Sequence, residues 1–207
     1  MRIITISRQF GSGGRELGKR LADLLGWDYY DKEIIETLAQ RRGVDPEDVQ
    51  FALSHHGWHN MQLTYRNSFS HLGFDHDSRT QLLRQQREII RAIAEAGNDC
   101  IIVGRDADVI LQEYRPFRVY VCADLQARLA RCMAHEEKRP AEERLTEKEV
   151  LRNIRRIDRS RAQTREVLTG KARSDSSMFD LTVNAAHWEI KKLTSAVAEF
   201  AAHWFEA

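Results

Sequence analysis

Apolar residues along the chain follow two alternating rhythms. Ile3, Ile4, Thr5 and Ile6 form a short β-branched run, the mark of a buried strand. A Gly-Ser-Gly-Gly cluster at residues 11–14 follows, and beyond it Leu17, Leu21, Leu24 and Leu25 recur on one helical face. The chain therefore opens as strand, glycine loop and helix. Gly26 stops that helix, residues 27–30 form a second short strand, and Asp31 stands at the start of a helix reaching about residue 42. Leu82, Leu83, Ile89, Ile90 and Ile93 mark a long helix over 78–96, stopped by Gly97 and Asn98. Residues 100–103 and 117–122 read as buried strands and 181–183 as a weaker one, with helix-length segments between them. Strands alternating with helices predict an α/β fold: a parallel sheet of about five strands, right-handed crossovers, and helices on both faces.

The stretch 54–80 breaks this rhythm, mixing His, Trp, Ser, Asn and Phe without a period. It reads as an inserted, acceptor-covering segment, and 135–175 as a lid region. His55, His56 and His59 sit at spacings that share a helix face, as metal ligands do. No acidic or Cys residue stands within a helical turn of them, so solvated or ring-packed histidines are preferred. The 207 residues are enough for one substantial core, so one domain over 1–207 is expected.

Charge narrows the partners. With 32 basic against 31 acidic residues the net charge is +1, so neither nucleic acid nor a membrane is called for by the overall balance. Any basic site must be local, and the expected partner is a small molecule. Cys100, Cys122 and Cys132 lack paired spacing, which suits free thiols in a reducing cytoplasm. No apolar run is long enough to span a bilayer, and the opening run has no signal-peptide character.

A glycine-rich turn entering a helix supplies backbone N–H groups and the positive end of the helix dipole to a phosphate. Gly11, Ser12, Gly13 and Gly14 are placed for that task. The strict P-loop pattern also asks for Lys followed by Ser or Thr. Read mechanically, residues 13–19 supply Gly, four residues, Gly and Lys, but Arg20 stands at the hydroxyl position. Gly18 and Lys19 also fall a turn inside the helix, too far from the strand end to wrap a phosphate. In the better register the loop runs over residues 8–14, and Gly14 holds the Lys position. Arg15 is then the candidate for the missing positive charge, and Glu16 or Ser12 for holding Mg2+.

These residues carry a resemblance to the cytidylate kinase-like family of P-loop proteins. The string Thr5-Ile6-Ser7-Arg8-Gln9-Phe10-Gly11-Ser12-Gly13-Gly14-Arg15-Glu16-Leu17 is its specific part. Weaker pieces follow at Tyr30-Asp31-Lys32-Glu33, Val103-Gly104-Arg105-Asp106, Asp158 with Arg161, Thr169-Gly170 and Phe179-Asp180-Leu181. The resemblance implies a nucleoside-monophosphate-kinase-like P-loop NTPase fold with inserted lid segments. It also implies ATP and Mg2+, and a phosphoryl acceptor of the CMP or dCMP kind. The loop without Lys belongs to that family's own pattern. Where the family often has Tyr after the Asp158 and Arg161 pair and Trp after Thr169-Gly170, this chain has Gln163, Thr164, Arg165 and then Lys171, Ala172, Arg173.

Phosphoryl transfer is mostly positioning and charge stabilisation, so arginines and a carboxylate are the residues to seek. In open parallel sheets ligands gather at the carboxyl ends of strands, where Ser7, Asp31, Arg105 and Asp106 all fall. By resemblance, Arg105 holds the acceptor phosphate with Asp106 beside it, and Asp31 lies by the acceptor or Mg2+. Asp31 also fits a helix N-cap. Val150, Ile154 and Ile157 form an apolar stripe that continues at Arg161, and a charge on such a stripe needs a partner, for which Asp158 is suitably spaced. By resemblance, Arg161 and Asp158 join the catalytic and acceptor set, and a guanidinium turned inward over the nucleotide is also what lid arginines do in nucleotide kinases. Arg152, Arg155, Arg156 and Arg159 lie off the stripe, as a solvated face. Arg128 and Arg131 share a helix face after the 117–122 strand; their counterparts in nucleotide kinases meet the donor base and phosphates. Two further readings remain open: a nucleotide-binding module without turnover, and a kinase of a non-nucleotide metabolite.

Overall fold

The β-branched opening run becomes strand β1 (Ile3–Arg8), in which every residue but the last is buried. Burial of successive residues requires cover on both faces of the sheet, the condition of a parallel α/β sheet. The protein's structure, a computed structural model, describes residues 1–31, 76–170 and 175–206. After β1 come α1 (Gly14–Leu25), β2 (Asp28–Tyr30), α2 (His76–Glu95), β3 (Cys100–Val103) and the short α3 (Ala107–Ile110). Then follow β4 (Phe117–Cys122), α4 (Leu125–Glu136), α5 (Glu147–Thr169), β5 (Leu181–Asn184) and α6 (Ile190–Glu206). The strands form one five-stranded sheet in the order β2-β3-β1-β4-β5. All four pairings are parallel, with Ile4 opposite both Ile101 and Phe117.

The helices begin and end where the local chemistry says they should. Gly26 closes α1 at φ 68°, a conformation that costs glycine little. Thr146 and Glu149 form a reciprocal capping box at the start of α5, and Asp124 caps α4 by accepting from the Ala127 amide at 2.8 Å. The expected helix over 78–96 is α2, and the expected strands at 100–103 and 117–122 have those bounds. The helix proposed after Asp31, the three histidines and all of the 54–80 segment up to residue 75 lie outside the described residues. So do residues 171–174 of the lid region.

α6 is absent from the sequence expectations although its stripe of Ile190, Leu193, Val197, Ala198 and Ala201 is buried at helical spacing. It packs against α1, and Trp204 and Phe205 meet Phe117 with ring centroids 5.3 and 6.3 Å apart. Burial of Ile190, Leu193 and Val197 contributes about 1.5–3 kcal/mol each. None of the described helices is long and apolar enough to cross a membrane.

The second half of the mechanical P-loop match has a packing explanation. A Cβ on Gly18 would fall 2.6 Å from Val103 Cγ2 and 3.2 Å from Ile6 Cδ1, so this glycine lets α1 press onto the sheet. Lys19 pairs with Asp23 on the same helix, not with the loop. Gly18→Val is expected to lower stability by about 1–3 kcal/mol through overpacking, read as a lower urea midpoint at unchanged slope; a midpoint equal to that of the parent chain would contradict the tight approach.

Candidate functional site

The turn at residues 11–14 sits at the carboxyl end of the central strand. Gly11 and Gly13 have φ of 77° and 88°, the left-handed region in which side chains are disfavoured. The first backbone bond of α1 runs from Leu17 N to Gly13 O at 2.9 Å. The N–H groups of Gly14, Arg15 and Glu16 thus head the helix with no earlier carbonyl to bond within it. Such amides, with the helix dipole behind them, are what a phosphate needs.

Side chains around the turn fall into three sets. On the β2 and β3 side, Arg15 donates through Nε and Nη2 to Asp31 Oδ2, each at 2.6 Å. Asp31 is buried at the end of β2 and also accepts from Tyr29 Oη at 3.3 Å. Arg105 follows β3 within a left-handed run, Gly104, Arg105 and Asp106 having φ of 86°, 59° and 50°. Two such residues bearing side chains cost about 1–3 kcal/mol each and persist only where the surroundings hold them. Burial, and then repulsion from the charge of Arg8, pull the Arg105 guanidinium below its usual range, against the attraction of Asp106 and Asp31. A bound anion would relieve both effects. The expected meeting of the ends of β1, β2 and β3 at one crevice is therefore present.

The second set lies behind the turn. Asp158 on α5 accepts from Phe10 N at 2.8 Å and forms an ion pair with Arg128 Nη1. Arg128 is buried and also donates to Phe10 O at 3.2 Å. Arg161, the partner anticipated for Asp158, is 3.9 Å from it. Its guanidinium lies 5.7 Å over the Phe10 ring and donates to Arg8 O at 3.3 Å. Arg131 bonds the carbonyls of Ser12 at 3.2 Å, Trp188 at 3.5 Å, and Ala185. These arginines hold the loop by its backbone.

The third set was not anticipated. Arg165, four residues past Arg161 on the same stripe, is 1 % exposed. It grips Asp108 through Nη1 at 2.8 Å and Nη2 at 2.5 Å, and lies 3.5 Å from Asp106. Its other face covers Phe179 at 5.1 Å. The strained run carrying Arg105 is thereby tied to α5. The only trace of this in the sequence is that the stripe continues at 165; its carboxylate partners Asp108 and Asp106 are 57 and 59 residues away in sequence.

Two assignments for Mg2+ meet competing bonds. Ser12 is buried and its hydroxyl donates to Gln9 O at 2.9 Å. Glu16 accepts from Arg20 Nε at 2.8 Å on the flank of α1. Asp31 is a buried carboxylate at the strand ends and likewise carries bonds, from Arg15 and Tyr29.

A parallel sheet with a glycine phosphate turn after its central strand, flanked by arginines, defines a P-loop kinase. Comparison narrows the class. The family model described as "Cytidylate kinase-like family" matches residues 3–187, and the chain belongs to that family, a family of ATP-dependent kinases. It is similar to a cytidylate kinase from Haloarcula marismortui, 27% identical over 188 residues that cover 90% of this chain and 82% of that one. Among solved structures, an uncharacterized protein from Eubacterium ventriosum superposes with a TM-score of 0.70 at 20% identity, covering 98% of this chain and 99% of that one. A shikimate kinase from Bacteroides thetaiotaomicron does so with 0.55 at 14% identity, covering 96% and 97%; these two likenesses show the fold.

Replacing Arg165 with Met should strip Asp106 and Asp108 of their cation while roughly keeping volume. The expected cost is about 3–5 kcal/mol, as for breaking a buried ion pair from one side, measured by urea unfolding. A loss below about 1 kcal/mol would mean that the two carboxylates find water or another cation.

Proposed function

We propose that the chain transfers the γ-phosphoryl group of ATP to a nucleoside monophosphate, with CMP or dCMP the first acceptor to test, as a cytoplasmic enzyme acting on small molecules. The observation that carries this reading is the convergence of the phosphate turn with Arg15, Asp31 and Arg105 at one edge of the sheet. The amides heading α1 hold the donor phosphates. Arg105, fixed by its left-handed backbone, holds the phosphate of the acceptor. Arg161, stretched over Phe10, closes the donor side when the lid comes down. Arg131 sets the turn from the other side, through the Ser12 carbonyl.

The bonds described above support different roles for residues that resemblance groups together. Asp158 and Asp106 are committed to Arg128 and Arg165, so they act as positioning residues for the turn and for Arg105. Arg128 shares that task, its guanidinium being turned to Phe10 O and away from solvent. Asp31 orients Arg15 and is the carboxylate best placed for Mg2+, which is commonly bound by one or two carboxylates and the substrate phosphates. Mg2+ supplies neutralisation of phosphate charge when bound. The name of the Haloarcula marismortui relative supports the acceptor class.

ADP formation should rise above the acceptor-free rate with at least one of CMP, dCMP and UMP, while a base-free acceptor outcompeting all three would select a metabolite kinase instead. Arg105→Ala should lower turnover by about 100-fold or more and leave ATP affinity within about threefold. Equal loss of turnover and ATP binding would contradict its assignment to the acceptor.

A further inference from the structure

The strict P-loop begins with Gly and carries Lys six positions later; here those positions hold Arg8 and Gly14. The exchange is sterically linked. A Cβ on Gly14 would fall 2.7 Å from Arg8 Cβ and 3.3 Å from Val121 Cβ, and neither atom can swing away as the end of a long side chain can. Any side chain at residue 14, lysine included, is excluded while Arg8 is present. The Arg8 side chain leaves the end of β1, passes Gly14, and brings Nη1 over Gly104, where a Cβ would be only 1.7 Å away. Its charge is felt at both Arg105 and Tyr29. The guanidinium thus lies between the phosphate turn and the acceptor arginine.

We propose that Arg8 is a catalytic residue that replaces the P-loop lysine: its side chain reaches the transferred phosphoryl group from the first position of the loop rather than the seventh. Arg15 was the sequence candidate for this charge, but both of its bonds shown at the site go to Asp31. An arginine is charged at any physiological pH and offers forked donors to phosphate oxygens. As an ionised acceptor phosphate oxygen bonds to the γ-phosphorus and the bond to ADP breaks, the bonding electrons stay on ADP and no proton moves. Arg8 donates to the phosphoryl oxygens throughout that exchange. This role rests on the phosphotransferase reading, whereas phosphate binding by Arg8 does not.

The test uses Arg8→Gln, Arg8→Lys, Gly14→Lys and the double variant Arg8→Gly with Gly14→Lys, each checked for folding by circular dichroism and thermal melting. Calorimetry with inorganic tripolyphosphate and turnover with the best acceptor are the two readouts. Arg8→Gln should lose about 100-fold or more in turnover and about tenfold in tripolyphosphate affinity, and Arg8→Lys should retain more of both. Gly14→Lys alone should be impaired, and the double variant should recover activity beyond either Gly14→Lys or Arg8→Gln. Parent-like binding and turnover in Arg8→Gln, or full activity in Gly14→Lys alone, would overturn the proposal. If the double variant does not fold, Arg8→Lys against Arg8→Gln decides, and equal losses in the two overturn it. Loss of tripolyphosphate affinity in Arg8→Gln, in a protein whose parent chain transfers to no acceptor, would sink the kinase reading and keep Arg8 as the phosphate ligand.

Discussion

The fit of the glycine turn among its neighbours is the constraint on which the rest of the structure depends. A Cβ on Gly11 would strike Arg128 O and Cys132 Sγ, both at 2.9 Å; one on Gly13 would meet Ile190 Cδ1 at 2.6 Å; one on Gly14 would meet Arg8. Helices α4 and α6 and strand β1 therefore press on the turn from separate directions. The carbonyls of Phe10 and Ser12 are taken by Arg128 and Arg131. A phosphate site of this kind relies on backbone geometry, and backbone geometry is kept by packing.

Helix α5 connects the two halves of the crevice. Asp158 reaches the turn through Phe10 N, and seven residues further along Arg165 reaches Asp106 and Asp108 beside Arg105. Seven residues are close to two helical turns, so both charges project from one face of the same rod. A charged side chain buried with its partner adds little to stability and a great deal to geometry, because breaking the pair leaves an ion without water. The strain at Arg105 and Asp106 is balanced in this way. The glycine turn and the strained run at Arg105 are accordingly both held by one helix.

The pieces of family resemblance acquire separate physical tasks in the fold. Asp180 accepts from the Arg118 amide at 2.8 Å and from its guanidinium, tying the segment before β5 to β4. Phe179 stacks on Tyr120 at 4.9 Å while Arg165 covers its other side. Asp31, at the end of β2, accepts from Arg15 and Tyr29, which a helix cap alone would not need.

Strand and helix order was legible because it rests on local periods: β-branched runs for β1 and β3, a leucine face for α1, and glycines at positive φ for the stops at Gly26 and Gly97. The glycine turn was legible for the same reason, since glycine adopts the left-handed dihedrals of residues 11 and 13 at the least cost. The roles of charged residues were less so. Spacing suggested Arg161 for Asp158, and that pair forms at 3.9 Å, but the closer partner is Arg128, 30 residues away, because α4 packs beside α5. The sequence alone determined a parallel α/β phosphate-binding chain with arginines near its strand ends. Only the tertiary structure decided which arginine meets which carboxylate, and that Arg8 excludes a lysine at residue 14. Both outcomes are steric and electrostatic relations between residues that no local period brings together.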